Sequence, residues 1–444
     1  MAESKHLTSP PDTKKLPRGI PYIIGNEFAE RFSFYGMRGI LVIFMTRHLV
    51  NSQGEPALMQ ETDALVWFHN FVAAVYLTPV LGALLSDIFL GKYRTIILLS
   101  IVYCLGHLAL AIDETETGLL VGLTLIAFGA GGIKPCVSAH VGDQFGKSNQ
   151  DRISRVFGWF YFSINLGAFL SSLATPLLLK HCGPSWAFGV PGVLMLLATI
   201  VFWLGRNTFV HVPAGGMSFV KETFSSEGLR AIGRLVPLYL FVTIFWSLFD
   251  QSSSKWVLQA DKMDRVVFGV ELLPSQIQAV NPILILILIP VFSYVIYPAI
   301  NRVFRLNEIR KIAIGMFLAA FSFVIPAFAE SAIQAGETPH ISWQIFAYIV
   351  LTAAEVMVSI TFLEFSYTQA PQKMKSVVMA IFFLSITAGN YFTSLVNYFI
   401  QNEDGTVKLA GEDYYFFFAA VMLGAAVLFS AVGKFYRGKT YIQE

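Results

Sequence analysis

The sequence predicts an all-α membrane protein with twelve transmembrane helices in two six-helix bundles. Three observations predict it: a shortage of charge, a series of long apolar runs, and a polar break that divides the series in half. Of 444 residues, 55% are hydrophobic and only 14% charged, and the mean hydropathy is +0.61. Soluble domains carry about 25% charged residues, so much of this surface is not made for water. The net charge of +2 is too small to point to a nucleic acid or an acidic partner. Cys104, Cys136 and Cys182 lie in or beside apolar segments. Without a CxxC pair or a His-rich cluster, neither a disulfide nor a metal site is expected, and no cofactor is implied.

A bilayer core about 30 Å thick needs about 20 apolar residues per helix. Such runs occur near 21–48, 64–90, 93–112, 119–141, 154–180, 186–205, 234–259, 275–302, 309–330, 341–369, 375–400 and 413–436. They are long and continuous rather than alternating, which excludes barrel strands. Several exceed the minimum, so tilt or extension beyond the lipid is expected. Residues 1–19 carry Lys5, Lys14, Lys15 and Arg18. They read as a cytoplasmic tail before a first span that stays in the membrane, not as a signal peptide. No N-x-[ST] sequon occurs, which favours a bacterial membrane.

Orientation follows from the bias of Lys and Arg between loops. Segments 49–63, 113–118 and 331–340 contain neither residue. The alternate loops carry Lys92 and Arg94; Lys147, Arg152 and Arg155; Arg302, Arg305, Arg310 and Lys311; Lys373 and Lys375. The end of the chain adds Lys434, Arg437 and Lys439. Both termini are therefore expected on the cytoplasmic side of the cell inner membrane. The longest polar break, 206–233, separates a bundle over 20–205 from one over 234–436, with a terminal tail at 437–444. Between the second and third spans, Gly82, Leu84, Asp87, Gly91, Lys92 and Arg94 resemble the G-x-L-x-D-x-x-G-[KR] loop of the major facilitator superfamily. Asn301 to Leu306 is a faint echo of it in the second half.

The most informative residues are ionisable groups inside spans. Each costs about 2.5–3.5 kcal/mol at a helix centre on insertion scales, so it faces a cavity or a partner. The first span holds Glu27, Glu30, Arg31, Phe34 and Arg38 within an arc of about 100°, with Tyr35 at its edge. This stripe lines water or other helices, although internal pairing of Glu27 and Glu30 with Arg31 would also suit a purely structural helix. Lys134 lies among Gly129, Gly131, Gly132 and Pro135, where a kink is expected. Asp250 falls late in the seventh span and Glu355 in the tenth. Four acids (Glu27, Glu30, Asp250, Glu355) then face three bases (Arg31, Arg38, Lys134), so at least one carboxyl is expected to exchange a proton. His69, early in the second span, reads either as a neutral hydrogen-bonded residue or as a proton relay.

At these residues the chain resembles the proton-coupled oligopeptide transporter (POT, or PTR) family. Glu27, Glu30, Arg31, Phe32, Tyr35 and Gly36 follow the first-helix pattern E-x-x-E-R-F-x-Y-Y-G, with Phe34 in place of its first tyrosine. Phe160, Tyr161, Ile164, Asn165 and Gly167 are similar to the fifth-helix F-Y-x-x-I-N-x-G signature. Gly131 to Pro135 resembles the fourth-helix motif. Phe245, Trp246, Asp250 and Gln251, and Glu355 with Ser359, resemble the seventh and tenth helices. The resemblance runs from about Pro21 to Val432 and implies a symporter that uses protons to import di- and tripeptides, and peptide-like drugs, across the bilayer by alternating access.

Carried onto matching positions, the resemblance implies a proton-coupling set of Glu27, Glu30, Arg31, Lys134, Asp250 and His69. Arg38 would take the peptide carboxylate and Glu355 its ammonium. Tyr35, Tyr76, Asn165, Asn281, Trp246 and Ser359 would line the substrate. Arg38 with Asp250, and Lys134 with Glu355, would form gating salt bridges. The break at 206–233 is too short for the two extra helices of many bacterial members. Segment 331–340 is too short for the outer domain of animal members. A compact prokaryotic form is therefore expected. Rival readings are another cargo on the same architecture (nitrate, amino-acid conjugates), a membrane enzyme, or a peptide sensor. No GxSxG, HExxH or Walker signature supports an enzyme. Opposite charges at Arg38 and Glu355 favour a zwitterion over a simple anion.

Overall fold

The structure, a computed structural model, describes residues 7–214, 216, 226–368, 375–402, 404 and 406–436. Parts of the expected N-terminal tail and linker, the whole segment 437–444, and Lys373 lie outside the described residues.

In the first half, α1 (Ile20–Arg47), α2 (Glu61–Leu84), α3 (Lys92–Ile112), α4 (Glu116–Asp143), α5 (Ile153–Cys182) and α6 (Pro184–Leu204) are long helices. The second half has α7 (Ser226–Phe249), a short α8 (Lys255–Ala260), α9 (Val280–Val291), α10 (Tyr297–Val303), α11 (Glu308–Gln334), α12 (Ser342–Glu355), α13 (Thr361–Thr368), α14 (Lys375–Ile400) and α15 (Glu412–Phe435). π-Helical turns join α9 to α10 and α12 to α13, so each pair forms one span. Among the described residues, eleven helical spans are long and apolar enough to cross a bilayer. The twelfth is α1: 28 residues are ample, but its charged stripe separates it from the others by composition. The protein is a multi-pass, all-α membrane protein with twelve spans. Large apolar side chains point outward along them, such as Leu108 at 52% and Phe328 at 55% exposure, as suits contact with lipid.

Local chemistry sets the helix ends. Thr115 caps α4 by accepting from the Gly118 N–H, and Asn307 caps α11 by accepting from Arg310 N–H at 2.9 Å. Gly91, at φ +76°, turns the chain between the second and third spans. The following Lys92 pairs with Asp143 at the end of α4 at 2.7 Å.

The seventh span differs from its expected form. The helix ends at Phe249, and Asp250–Ser253 form a 3-10 turn before α8. The run Asp250-Gln-Ser-Ser-Ser254 explains this, because short polar side chains compete with the helix for backbone hydrogen bonds. A two-stranded hairpin, β1 (Val266–Val267) with β2 (Val270–Glu271), follows outside the spans.

Contacts divide the chain into two units, one of residues 1–58 and 74–222 and the other of 59–73 and 223–444. In the first, α1 packs on α5 and α6, and α3 on α4 and α6. Glycines permit the closest approaches. A methyl group on Gly82 would meet the Gly132 carbonyl oxygen and come within 2.5 Å of its Cα. On Gly129 it would lie 2.7 Å from Tyr103 Cβ. The glycines around Lys134 therefore serve packing, and α4 runs unbroken through Pro135. The helix stays continuous past the position where a kink is expected, and its glycines are tightly packed. In the second unit, α11 packs on α12 and α15, and α7 on α14.

Candidate functional site

The first unit gathers four of the singled-out charges. On α1, Arg31 Nε donates to Glu27 Oε1 at 2.6 Å and lies 3.2 Å from Glu30 Oε2. From α4, Lys134 Nζ stands 3.7 Å from Glu30 Oε1. Glu27 and Glu30 are each 1% exposed and Lys134 8%. Two acids and two bases leave this buried set formally neutral, which is the condition for holding charges in a low-dielectric interior. The two carboxylates are held differently. Glu27 has a short charge-assisted hydrogen bond. Neither oxygen of Glu30 has a hydrogen-bond partner among the described residues, so Glu30 is held by ion pairing alone.

Phe34 completes the set. Its ring centroid lies 4.0 Å from Lys134 Nζ, a cation–π contact of about 0.5–2 kcal/mol. The position where the family pattern has tyrosine thus supports Lys134 through a ring face. Gly167 of α5 fixes how close that helix comes: a methyl there would lie 2.7 Å from Phe28 O and 3.2 Å from Arg31 Cβ. Arg38 is 5% exposed, seven residues further along α1. Asn165 is buried and returns its amide to Tyr161 O at 2.9 Å. Tyr35 and Tyr76 are half-buried.

The second unit holds two further groups. Glu355 ends α12 where the π-helical turn of Val356–Ile360 begins, and this turn contains Ser359. Asn281 Nδ2 donates to Glu355 Oε2 at 2.9 Å and to Thr352 Oγ1 at 3.1 Å. Asp250 Oδ2 accepts from Asn390 Nδ2 at 2.7 Å. Asn390 Oδ1 lies 2.8 Å from His69 Nδ1, and His69 Nε2 lies 3.0 Å from Ser254 Oγ. The amide of Asn390 can only accept through Oδ1, so Nδ1 of His69 is the donor in this contact. Asp250, Asn390, His69 and Ser254 are all at most 2% exposed. Trp246 packs edge-on against Phe245, Phe249 and Phe382.

With this geometry the chain can be compared with known proteins. The POT family profile matches residues 93–226 and 217–412. The chain belongs to the POT family. It is 38% identical over 379 residues to Peptide transporter family 1 of Drosophila melanogaster, covering 75% of this chain and 50% of that protein. It is 36% identical to Solute carrier family 15 member 1 of Homo sapiens, covering 72% and 52%. The chain thus spans about half the length of the curated relatives it matches. The in meso crystal structure of the POT family transporter PepTSo superposes with a TM-score of 0.87 at 36% identity, covering 95% of this chain and 99% of that one. The fold is accordingly of the major facilitator type, and the relatives are transporters, not enzymes.

Within this POT family chain, the expected cluster of Glu27, Glu30, Arg31 and Lys134 forms inside one unit. Asp250 and His69 are connected, but through an amide not singled out in the sequence. Asn390 carries no charge and sits in an ordinary apolar span. Its signal is the Ala388-Gly389-Asn390 step, where a methyl on Gly389 would lie 2.9 Å from both Ser247 N and Trp246 Cβ. Ser254 is signalled only by the serine run after Asp250. Arg38 and Asp250 belong to different units, as do Lys134 and Glu355.

Proposed function

We propose that this chain is a proton-coupled symporter of the cell inner membrane, with both termini cytoplasmic, that imports di- and tripeptides and peptide-like drugs. The observation that carries the reading is the buried, formally neutral set of Glu27, Glu30, Arg31 and Lys134 on two helices of one unit. A proton arriving on one of its carboxylates leaves a cation without its counter-charge. An ion pair at 4 Å is worth about 4 kcal/mol at an effective dielectric of 20, enough to redistribute two conformations by orders of magnitude. The membrane potential adds about 2.3 kcal/mol per charge and 100 mV.

In this reading Arg38 receives the peptide carboxylate, for which a forked donor is suited. Glu355, oriented by Asn281, receives the ammonium. Tyr35, Tyr76, Asn165, Trp246 and Ser359 contact the rest of the peptide. Protonation exchanges the partners of Arg38, Asp250, Lys134 and Glu355 as access alternates. His69 belongs to the proton path through Asn390 and Asp250.

The test is uptake of labelled dialanine by the purified chain in proteoliposomes. An inward proton gradient should drive accumulation, and a protonophore should abolish it. Accumulation indifferent to the gradient would refute coupling, and no exchange of labelled dialanine in counterflow would refute transport.

A further inference from the structure

A second concave site lies wholly within the second unit. A cavity of about 250 Å³ opens between the start of α2, α8, the end of α11 and the segment entering α15. The start of α2 and the end of α11 adjoin segments 49–63 and 331–340, which lack Lys and Arg and mark the expected outer side, while the neighbouring loops carry Lys262, Arg265 and Lys408. On one wall, Glu61 pairs with both Lys262, at 2.7 Å, and Lys255, at 3.4 Å. Two cations on one anion leave that wall one positive charge in excess. The lining also includes Glu330, 6% exposed, whose Oε2 accepts from Gln259 Nε2 at 2.7 Å. Beside it, Asn397 is fully buried and gives its Nδ2 to Tyr414 Oη at 3.0 Å. The Asn397 Oδ1 has no hydrogen-bond partner among the described residues.

The lining therefore sums to zero charge, with both lysines paired to Glu61 and no ion pair among the described residues joining either of them to Glu330. A simple anion would meet Glu330, and a simple cation would meet the lysine wall. A molecule with a carboxylate at one end and an ammonium at the other satisfies both, and its N–H donors supply the partner that Asn397 Oδ1 lacks. The volume equals that of roughly eight waters at about 30 Å³ each, which suits an amino acid or a small dipeptide.

We propose that this cavity is a second binding site for zwitterions, an outer way-station separate from Arg38 and Glu355. The carboxylate sits against Lys255 and Lys262, and the ammonium against Glu330 and Asn397. The inference rests on the transport reading for the choice of peptide as cargo.

The test is saturation-transfer NMR of dialanine on the full chain in lipid nanodiscs, in an Arg38→Ala/Glu355→Ala background that disables the other site. Dialanine should still give saturation transfer. Adding Glu330→Gln or Lys262→Gln should weaken it about tenfold, the loss expected for one hydrogen bond to a charged group. Lys262 is more than a third exposed, so its variant keeps the fold intact. Blocking each end of the ligand separates binding from structure. Dialanine amide should be indifferent to Lys262→Gln, and N-acetyl-dialanine to Glu330→Gln. No saturation transfer in the background protein, or equal signals with and without the added substitutions, overturns the proposal. Failure of the wild type to take up dialanine would overturn the transport reading instead, and leaves this measurement valid on its own terms.

Discussion

Asn390 joins His69 to Asp250: its Oδ1 lies 2.8 Å from His69 Nδ1 while its Nδ2 donates to Asp250 Oδ2 at 2.7 Å. One amide thus holds a carboxylate and an imidazole in fixed orientations. Because its two ends have opposite hydrogen-bonding character, a flipped amide would set its oxygen against the Asp250 carboxylate. Asn390→Ala should remove one hydrogen bond from each of two buried groups, each worth about 1–3 kcal/mol. A lowered midpoint of thermal unfolding in detergent, together with an altered pH profile of uptake, is the expected result. A profile identical to wild type would remove the chain from the proton path.

Glu27→Gln removes a charge while keeping the shape, and Arg31→Ala removes the cation that both acids of α1 share. Both variants should lose gradient-driven accumulation by at least about tenfold, while Glu27→Gln still exchanges labelled peptide across the membrane. Parallel measurements of accumulation and counterflow distinguish loss of coupling from loss of folding. Accumulation surviving in both variants would show that energy enters elsewhere.

Glu355→Ala should affect substrates according to their amino end. Dialanine, with a free ammonium, should lose about tenfold or more in apparent affinity, the worth of a hydrogen bond to a charged group. N-acetyl-dialanine has nothing to lose there, so competition assays with the two ligands should diverge. Equal losses would assign Glu355 a structural role.

Gly167→Ala tests the seam between α1 and α5. The new methyl would stand 2.7 Å from Phe28 O and 3.1 Å from Phe32 N, neither of which can move without shifting the helix. Overpacking of this kind costs about 1–3 kcal/mol. Reduced thermal stability with weakened proton coupling is expected, because the displaced backbone carries Arg31. Unchanged stability would mean that the seam is looser than drawn.

Much of this was legible in the sequence because charge inside an apolar run is conspicuous. Glu27, Glu30, Arg31 and Lys134 stand out against their spans, and helical spacing alone places the first three on one face. What escaped was uncharged or contextual. Asn390 and Ser254 are polar residues of the kind that many membrane helices contain. Their significance lies in which distant side chains they reach. Glu330 sits at the very end of its span, where an acid looks like the start of a loop. Phe34 was visible as a departure from a pattern, but its ring lies under an ammonium group that arrives from a different helix. The glycines near Lys134 were read as weakness within one helix, whereas their function is between helices, a relation that no single stretch of sequence displays. Asp250 shows the same limit. Hydropathy carries the seventh span past it, yet the helix ends at Phe249, just before a run of short polar residues that favour helix ends.

The contact between Gly82 and Gly132 has a consequence for leakage. Any carrier that keeps acids and bases in its interior offers protons a route along them, and an uncontrolled route would dissipate the gradient that does the work. With no side chains between them, two backbones touch at that crossing. A bulkier residue at either glycine should force the two helices apart, and proton flux into protein-containing vesicles without peptide is the measurement that would show whether a leak results.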